Sequence, residues 1–160
     1  MKTDIAVIIL QKNEALHIRR CLEKLVPLAP RQIFVVDCHS TDGSDRIAAE
    51  MGAAVVYHDW PGLYAKQLNW ALDNLPIRTA WVLRLDADEY LYPETCAEVK
   101  RLVAEGGLPS SVTSLSLSLS RAFFADARFV LVVRLISQWF AFSSMALGGA
   151  KTGPWTNISS

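Results

Sequence analysis

Short apolar runs that alternate with helical patterns are the feature that most limits how this chain can fold. The first run, Ile5 to Leu10, contains only Ile, Val, Leu and Ala, which is typical of a strand buried on both faces of a parallel sheet. Similar runs follow at residues 33–36, 53–57 and 81–85. Apolar residues at helical spacing lie at about residues 15–25, 47–51, 64–75 and 93–103. This alternation predicts an α/β fold, a doubly wound and mostly parallel sheet with helices on both faces.

Composition narrows the class of protein further. A chain of 160 residues with 51% hydrophobic residues predicts one domain with one core. Lys plus Arg equals Asp plus Glu at 16 each, so the net charge gives no reason to expect a nucleic acid partner. The three cysteines are widely spaced and form no CxxC pair, and the apolar segment after Met1 is too short for a signal peptide. Both features predict a cytoplasmic location.

Polar residues follow three of the predicted strands, at the edge where a doubly wound sheet binds ligands. These residues are Gln11-Lys12-Asn13-Glu14, Asp37 with the segment 39–43 behind it, and the segment 86–89. Helix caps and Asx turns also use such residues, so the first two groups fit a structural role as well as a binding role. Lys66, Gln67 and Asn69 at the start of the third helix could face an anionic ligand or solvent.

The sequence Asp86-Ala87-Asp88-Glu89 is the most specific of these groups. Three carboxylates within four residues repel one another unless a cation or strong donors offset their charge. Hard oxygen ligands suit Mg²⁺ or Mn²⁺, which keeps several waters and bridges to nucleotide phosphates. Trp60 could be a sugar platform but fits rim packing as well. The three histidines lack metal-ligand spacing, and we assign them no catalytic role.

Taken together, the motifs resemble a known family. In chain order they read Ile-Leu-Gln-Lys-Asn-Glu, Val-Val-Asp-Cys-His-Ser-Thr-Asp-Gly, Ala-Lys-Gln-Leu-Asn-Trp-Ala-Leu and Leu-Arg-Leu-Asp-Ala-Asp-Glu-Tyr-Leu. This order resembles family 2 glycosyltransferases of the GT-A fold over roughly residues 4 to 120. Within the family it is most similar to bacterial enzymes that build lipopolysaccharide core, capsule or exopolysaccharide. The family's usual Thr or Ser before Lys12 is Gln11 here, and its usual Ser after Asp37 is Cys38.

The resemblance implies a nucleoside diphosphate sugar as donor. Lys12, Asn13, Glu14 and Asp37 would contact the nucleoside, with Asp37 accepting hydrogen bonds from the base or the ribose. The acceptor would be a hydroxyl of a glycan or of a lipid-linked glycan, so peripheral association with the inner face of a membrane is a further expectation.

The same resemblance places the phosphate and metal contacts. Lys66 and Asn69 would lie near the diphosphate or the donor sugar. Asp86 and Asp88 would match the DxD motif, holding Mg²⁺ or Mn²⁺ and the nucleotide sugar, with Asp88 as the direct metal ligand. The reaction would be a single inverting displacement in which a carboxylate takes the acceptor's proton. The family supplies this carboxylate from an acidic pair later in the chain, and after residue 105 only Asp126 is acidic. We therefore assign no catalytic base.

The last forty residues differ from the rest, which predicts a nucleotide-sugar-binding domain at 1–120 and an atypical apolar tail at 121–160. Ser114 to Ser120 alternates Ser and Leu, as in a half-buried strand at an edge or in a new sheet. Residues 135–159 can be back-translated with permitted codon choices and then read in the frame two nucleotides on. That frame encodes a string with a Glu-Asp pair similar to the family's. The single codons of Trp139, Met145 and Trp155 agree with that frame. We therefore expect a frameshift that leaves the fold incomplete at its C-terminus.

Other interpretations remain open at the level of sequence. The apolar run Phe129 to Leu147 approaches the length of a membrane span but contains Arg134, so a poorly packed tail or a membrane-tethered structural protein are alternatives. The domain could also be an inactive nucleotide-sugar-binding remnant. A nucleotidyltransferase would open with a glycine-rich loop after the first strand, and residues 11–14 contain no glycine.

Overall fold

A computed structural model describes residues 1–104 and the two strands at 114–121 and 129–137. Strands and helices alternate along the first hundred residues, as the sequence predicts. The elements are β1 (Thr3–Gln11), α1 (Ile18–Lys24), β2 (Pro30–Asp37), α2 (Ser44–Glu50), β3 (Ala54–Tyr57), α3 (Tyr64–Asn74), β4 (Trp81–Asp86), α4 (Pro93–Val103), β5 (Ser114–Arg121) and β6 (Phe129–Ser137).

The six strands form one sheet in the order β3-β2-β1-β4-β6-β5. The four strands β1 to β4 are parallel to one another, whereas β6 is antiparallel to both β4 and β5. The apolar run of β1 lies inside the parallel part, so its backbone pairs with β2 on one side and with β4 on the other. The mostly parallel α/β sheet predicted from the sequence is confirmed.

Helices cover both faces of this sheet. Ile5, Val7 and Ile9 of β1 pack in a cluster with buried residues of α1, α2 and α4. The intervening Ala6 and Ile8 pack on the other face with α3. Because successive side chains of a strand point to opposite faces, a strand buried on both faces must be apolar at every position, which explains the unbroken run. The doubly wound arrangement is therefore confirmed.

The first helix begins later than its sequence pattern indicates. α1 starts at Ile18 rather than at Ala15, because the preceding residues form a separate turn. The backbone N–H groups of His17 and Ile18 both donate to the Glu14 carbonyl at 2.9 Å, and the Ala15 N–H donates to the Asp42 carboxylate at 2.9 Å. This side-chain acceptor ties the turn to the loop after β2.

Two strands continue the sheet beyond β4. The Ser and Leu alternation of residues 114–120 forms β5, which is the edge strand of the same sheet rather than part of a new one. Residues 129–137, which the sequence assigned to a separate tail, form β6 between β4 and β5. The start of the apolar run is thus a strand in the sheet, and residues 138–147 lie outside the described part. Among the described residues, every helix is too short or too polar to cross a membrane.

Candidate nucleotide and metal site

The carboxyl ends of three neighbouring strands meet at one edge of the sheet. Gln11 at the end of β1 is in register with Asp37 of β2, and Leu10 is in register with Asp86 of β4. Backbone hydrogen bonds continue past the strands, from the Cys38 N–H to the Gln11 carbonyl at 3.0 Å. Parallel pairing therefore brings together polar groups that are far apart in sequence, at the edge where such sheets bind ligands.

A cavity of about 340 Å³ opens at this edge. The segments after β1, β2 and β4 and the start of α3 form its walls. Its lining residues are Leu10, Gln11, Lys12, Glu14, Cys38, Trp60, Tyr64, Gln67, Asp86, Ala87 and Asp88. Of the predicted site residues, the structure thus brings Lys12, Glu14, Asp86 and Asp88 to one cavity. Asn13, Asp37, Lys66 and Asn69 are not among the residues that line it.

Asp37 is completely buried and is not among the residues that line the cavity. Its Oδ1 accepts hydrogen bonds from Gln11 Nε2 at 2.8 Å and from Ser40 Oγ at 2.5 Å, and its Oδ2 accepts one from the Ser40 N–H at 2.7 Å. Both carboxylate oxygens therefore have donors from the protein itself. This arrangement gives Asp37 a role in shaping the loop after β2, beside the contact with the nucleoside that the resemblance implies.

Asn13 joins the loops after β1 and β2. It adopts a left-handed backbone conformation with φ of 56°, its N–H donates to Ser40 Oγ at 2.8 Å, and its Oδ1 accepts the Thr41 N–H at 2.8 Å. Asp42 adds a second connection, accepting from the Ala15 N–H and from Ser44. These hydrogen bonds hold the two loops at a fixed distance and so fix one wall of the cavity.

Glu14 lines the cavity together with Asp86 and Asp88. Burial raises the pKa of its carboxyl, and the negative charges of Asp88, Asp42 and Asp86 raise it further against the opposing effect of His17. The carboxylates of Glu14 after β1 and of Asp86 and Asp88 after β4 therefore repel one another. A divalent cation bound there would offset charges that otherwise repel one another.

The acidic cluster after β4 is divided between two environments. Asp86 and Asp88 line the cavity, whereas Glu89 is buried with 5% of its surface exposed. Glu89 Oε2 accepts the Asp86 N–H at 2.9 Å and so closes the turn after β4. Burial raises the pKa of Glu89 to about 7, and the charges of Asp86 and Asp88 add to this effect against the Asp86 N–H and Arg84. Glu89 is thus a structural residue of the turn.

The donor set fits a cation that takes few protein ligands. Within residues 1–104, no three His, Cys, Asp or Glu side chains come together closely enough to cage a metal. Asp86 and Asp88 offer two carboxylates at an open cavity. Mg²⁺ is commonly held by one or two carboxylates together with waters and substrate phosphates, so a cation of that kind is compatible with this pair.

The start of α3 forms the opposite wall through Gln67, which is completely buried. Gln67 Nε2 donates to Cys38 Sγ at 3.2 Å, and Oε1 lies 2.7 Å from Nδ1 of His58. The His58 ring in turn stacks on Trp70, with centroids 3.9 Å apart. Lys66 and Asn69 are exposed. Of the donors expected on this helix, Gln67 is therefore the one that the fold turns toward the cavity.

Two aromatic rings flank the cavity mouth. Trp60 and Tyr64 line the cavity and meet edge to face, with centroids 4.8 Å apart. Arg84 of β4 lies with Cζ 6.0 Å from the centroid of the Tyr64 ring and forms an ion pair with Asp86. The cavity thus has an acidic wall and an aromatic rim, and Arg84, which is not among its lining residues, lies beside both.

Sequence reasoning did not assign Gln11, Cys38, Tyr64 or Arg84 to the site. A signal for Arg84 was present, because residues two apart on a strand share a face and Arg84 precedes Asp86 by two. Tyr64 belonged to an apolar helical stripe, and nothing in the sequence distinguished its rim position from a core position. Gln11 was predicted only as one of the polar residues after the first strand, and Cys38 was noted only as a departure from the family pattern.

Comparison with known proteins extends these observations. Residues 6–113 match the sequence model of the family described as Glycosyl transferase family 2. A protein of Rickettsia bellii named as an uncharacterized glycosyltransferase is 36% identical over 100 residues, which cover 62% of this chain and 33% of that protein. A protein of the same name from Rickettsia felis is 35% identical over 100 residues, covering 62% and 34%. The matched segment spans about one third of the length of these relatives.

Solved structures show the same fold. Glucosyl-3-phosphoglycerate synthase from Mycobacterium tuberculosis in complex with UDP superposes with a TM-score of 0.62 at 19% identity, covering 86% of this chain and 57% of that chain. The same enzyme in complex with Mn²⁺, UDP and glucosyl-3-phosphoglycerate gives a TM-score of 0.54 at 21% identity, covering 70% and 42%. At these identities the likeness shows the architecture of the sheet and helices.

Proposed function

Because the chain belongs to glycosyl transferase family 2, we propose that its cavity binds a nucleoside diphosphate sugar and that the protein transfers the sugar to an acceptor hydroxyl. The observation that carries the proposal is the cavity itself, where the ends of β1, β2 and β4 present donors, an acceptor and two carboxylates together. The family match favours this activity over the nucleotidyltransferase alternative.

Gln11, which lines the cavity, has one buried atom without a hydrogen-bond partner in the part of the chain that the structure describes. Gln11 is 4% exposed, and its Oε1 has no hydrogen-bond partner among the described residues. The Asp37 carboxylate fixes the orientation of this amide, because Nε2 donates to Asp37 and a flipped amide would put two acceptors together. A buried acceptor without a partner costs about 1–3 kcal/mol. A shift of the Gln11 side chain toward the cavity would let an N–H or O–H of a bound nucleoside remove that cost.

The proposed contacts follow from the walls of the cavity. Lys12 and Gln11 would contact the nucleoside, with Asn13 and Asp37 holding the loops that carry them. Asp86 and Asp88 would hold Mg²⁺ or Mn²⁺, which supplies positive charge that stabilises the departing diphosphate. Glu14 would share that acidic wall. Lys66 and Asn69, which are exposed on α3, would contact the diphosphate or the donor sugar from outside the cavity. The likeness to a synthase that binds UDP and Mn²⁺ supports this assignment.

The acceptor side of the proposal rests on the resemblance in sequence. We propose a glycan or lipid-linked glycan acceptor, as in lipopolysaccharide, capsule or exopolysaccharide synthesis, and a cytoplasmic protein that associates peripherally with a membrane. The three free cysteines, all buried, are compatible with a reducing compartment. No carboxylate is assigned as catalytic base, and an inactive binding remnant is the second candidate function.

Titration with nucleotides tests the donor site. We expect UDP, dTDP, GDP, CDP or ADP, or more than one of them, to bind in the presence of Mn²⁺ with a dissociation constant below about 1 mM, in the usual range of substrate affinities. Binding should weaken when EDTA removes the metal. Isothermal titration calorimetry measures both, and failure of all five nucleotides to bind would contradict the proposal. Release of diphosphate from a nucleotide sugar then separates an active enzyme from a binding remnant.

The frameshift stays a prediction, since residues 138–160 lie outside the described part. Sequencing the gene through codons 120 to 160 and beyond is expected to show a second frame that encodes an acidic pair. A single continuous frame without such a segment would refute the frameshift and leave the apolar tail as native sequence.

A further inference from the structure

We propose that Arg84 is a positioning residue that competes with the divalent cation for Asp86 and thereby sets the metal affinity of the cavity. This inference rests on the proposed function, because it takes Asp86 and Asp88 as the metal-binding pair. It adds a residue to which neither the sequence analysis nor the comparisons assign a role.

The position of Arg84 on β4 makes the competition direct. Arg84 and Asp86 are two residues apart on one strand, so both side chains lie on the sheet face that α3 covers. Arg84 Nη2 donates to Asp86 Oδ1. Both side chains are largely shielded from water, with 20% of Arg84 and 28% of Asp86 exposed. Ion pairs shielded in this way are weakened less by salt than pairs on the open surface.

The guanidinium also lies near an aromatic ring. Its Cζ lies 6.0 Å from the centroid of the Tyr64 ring, near the outer limit at which an aromatic face attracts a cation. Arg84 therefore lies between the rim of the cavity and the acidic wall. A side chain supported by both neighbours is more ordered than a free surface arginine, so less entropy opposes its pairing with Asp86.

A divalent cation and a guanidinium at the same carboxylate compete, because each is stabilised by the same negative charge. Their charges repel, and the Oδ1 position that Arg84 occupies is one of the few ligand positions the carboxylate pair offers. Metal binding must therefore displace the guanidinium from Asp86 or take place beside its positive charge. Either route lowers the affinity for the metal alone relative to a chain that lacks the arginine.

Electron paramagnetic resonance of free Mn²⁺ tests this inference without relying on turnover. Arg84→Gln is expected to bind Mn²⁺ about tenfold more tightly than the unaltered protein, the effect of losing one charged hydrogen bond to a ligand. Arg84→Lys, which keeps the charge without the planar fork, is expected to fall between them. Arg101→Gln is the matched control. Arg101 pairs with Glu98 on the exposed surface of α4, so this substitution removes the same positive charge away from the cavity.

The outcomes separate this inference from the proposed function. Equal Mn²⁺ affinity in Arg84→Gln and the unaltered protein overturns the role of Arg84, and if Asp88→Asn still abolishes that binding, the metal site stands. An equal gain in Arg101→Gln overturns it too, because only net charge would then matter. No Mn²⁺ binding by any variant, with or without UDP, overturns both proposals. Thermal melting by circular dichroism checks that each variant is folded.

Discussion

Asp88→Asn is expected to weaken nucleotide binding in Mn²⁺ by at least about hundredfold. Asp88 is exposed at the cavity, and we propose it as a direct ligand of a cation held by the Asp86 and Asp88 carboxylates. Changes to groups that merely orient a ligand already cost about 10- to 100-fold in metal affinity, so loss of a charged ligand should cost at least as much. Isothermal titration calorimetry with the tightest-binding nucleotide gives the ratio of dissociation constants.

The matched control for this experiment is Asp73→Asn. Asp73 is exposed on α3 and is not among the residues that line the cavity, so it removes one negative charge without touching the proposed site. Its dissociation constant should stay within about twofold, as for an exposed charge screened by salt. When EDTA removes the metal, both variants should bind the nucleotide weakly and with similar dissociation constants. Unchanged Mn²⁺-dependent binding in Asp88→Asn would place the metal at other ligands.

Asp37→Ala is expected to lower the free energy of unfolding by about 3 kcal/mol. The substitution removes the acceptor of three hydrogen bonds, from Gln11 Nε2, the Ser40 N–H and Ser40 Oγ, at a completely buried position. Donors left without partners in a buried site cost more than the hydrogen bonds themselves contribute. Urea denaturation followed by circular dichroism measures the change in midpoint and in free energy.

Asp37→Asn and Asp45→Ala complete this test. Asn keeps the shape of Asp but turns one acceptor into a donor that faces other donors, so we expect about half the loss found for Ala. Asp45 accepts a hydrogen bond from the Tyr57 hydroxyl at the surface, and its loss should change stability little. A similar stability for Asp37→Ala and Asp45→Ala would show that the buried network does not stabilise the fold.

The fold could be predicted from the sequence because its signals are local and agree with one another. The run from Ile5 to Leu10 and the helical stripes between the strands require a sheet covered on both faces, and the structure has this arrangement. The pattern failed for β6, since the run from Phe129 to Leu147 fits a membrane segment or a poorly packed tail by its length and composition. In the structure, its first nine residues pair as a strand with β4 and β5.

The site was predicted only in part because sequence shows which groups follow each strand and not where they point. Lys12, Glu14, Asp86 and Asp88 line the cavity, as the strand-end rule indicates. Asp37 and Asn13 follow strands in the same way, yet their side chains are used in hydrogen bonds between the two loops. Whether a polar side chain faces a ligand or a neighbouring loop depends on the partner loop, which a single segment does not reveal.

The sequence by itself determined the α/β alternation, the family and the strand ends that carry the polar groups, because hydrophobic periodicity and motif order are properties of neighbouring residues. Only the tertiary structure decided that Gln11 reaches Asp37, that Glu89 turns inward, and that Arg84 pairs with Asp86 under Tyr64. These contacts depend on the register of parallel strands and on how α3 packs across the sheet. Burial then sets their strength, since a charge shielded from water interacts far more strongly than an exposed one.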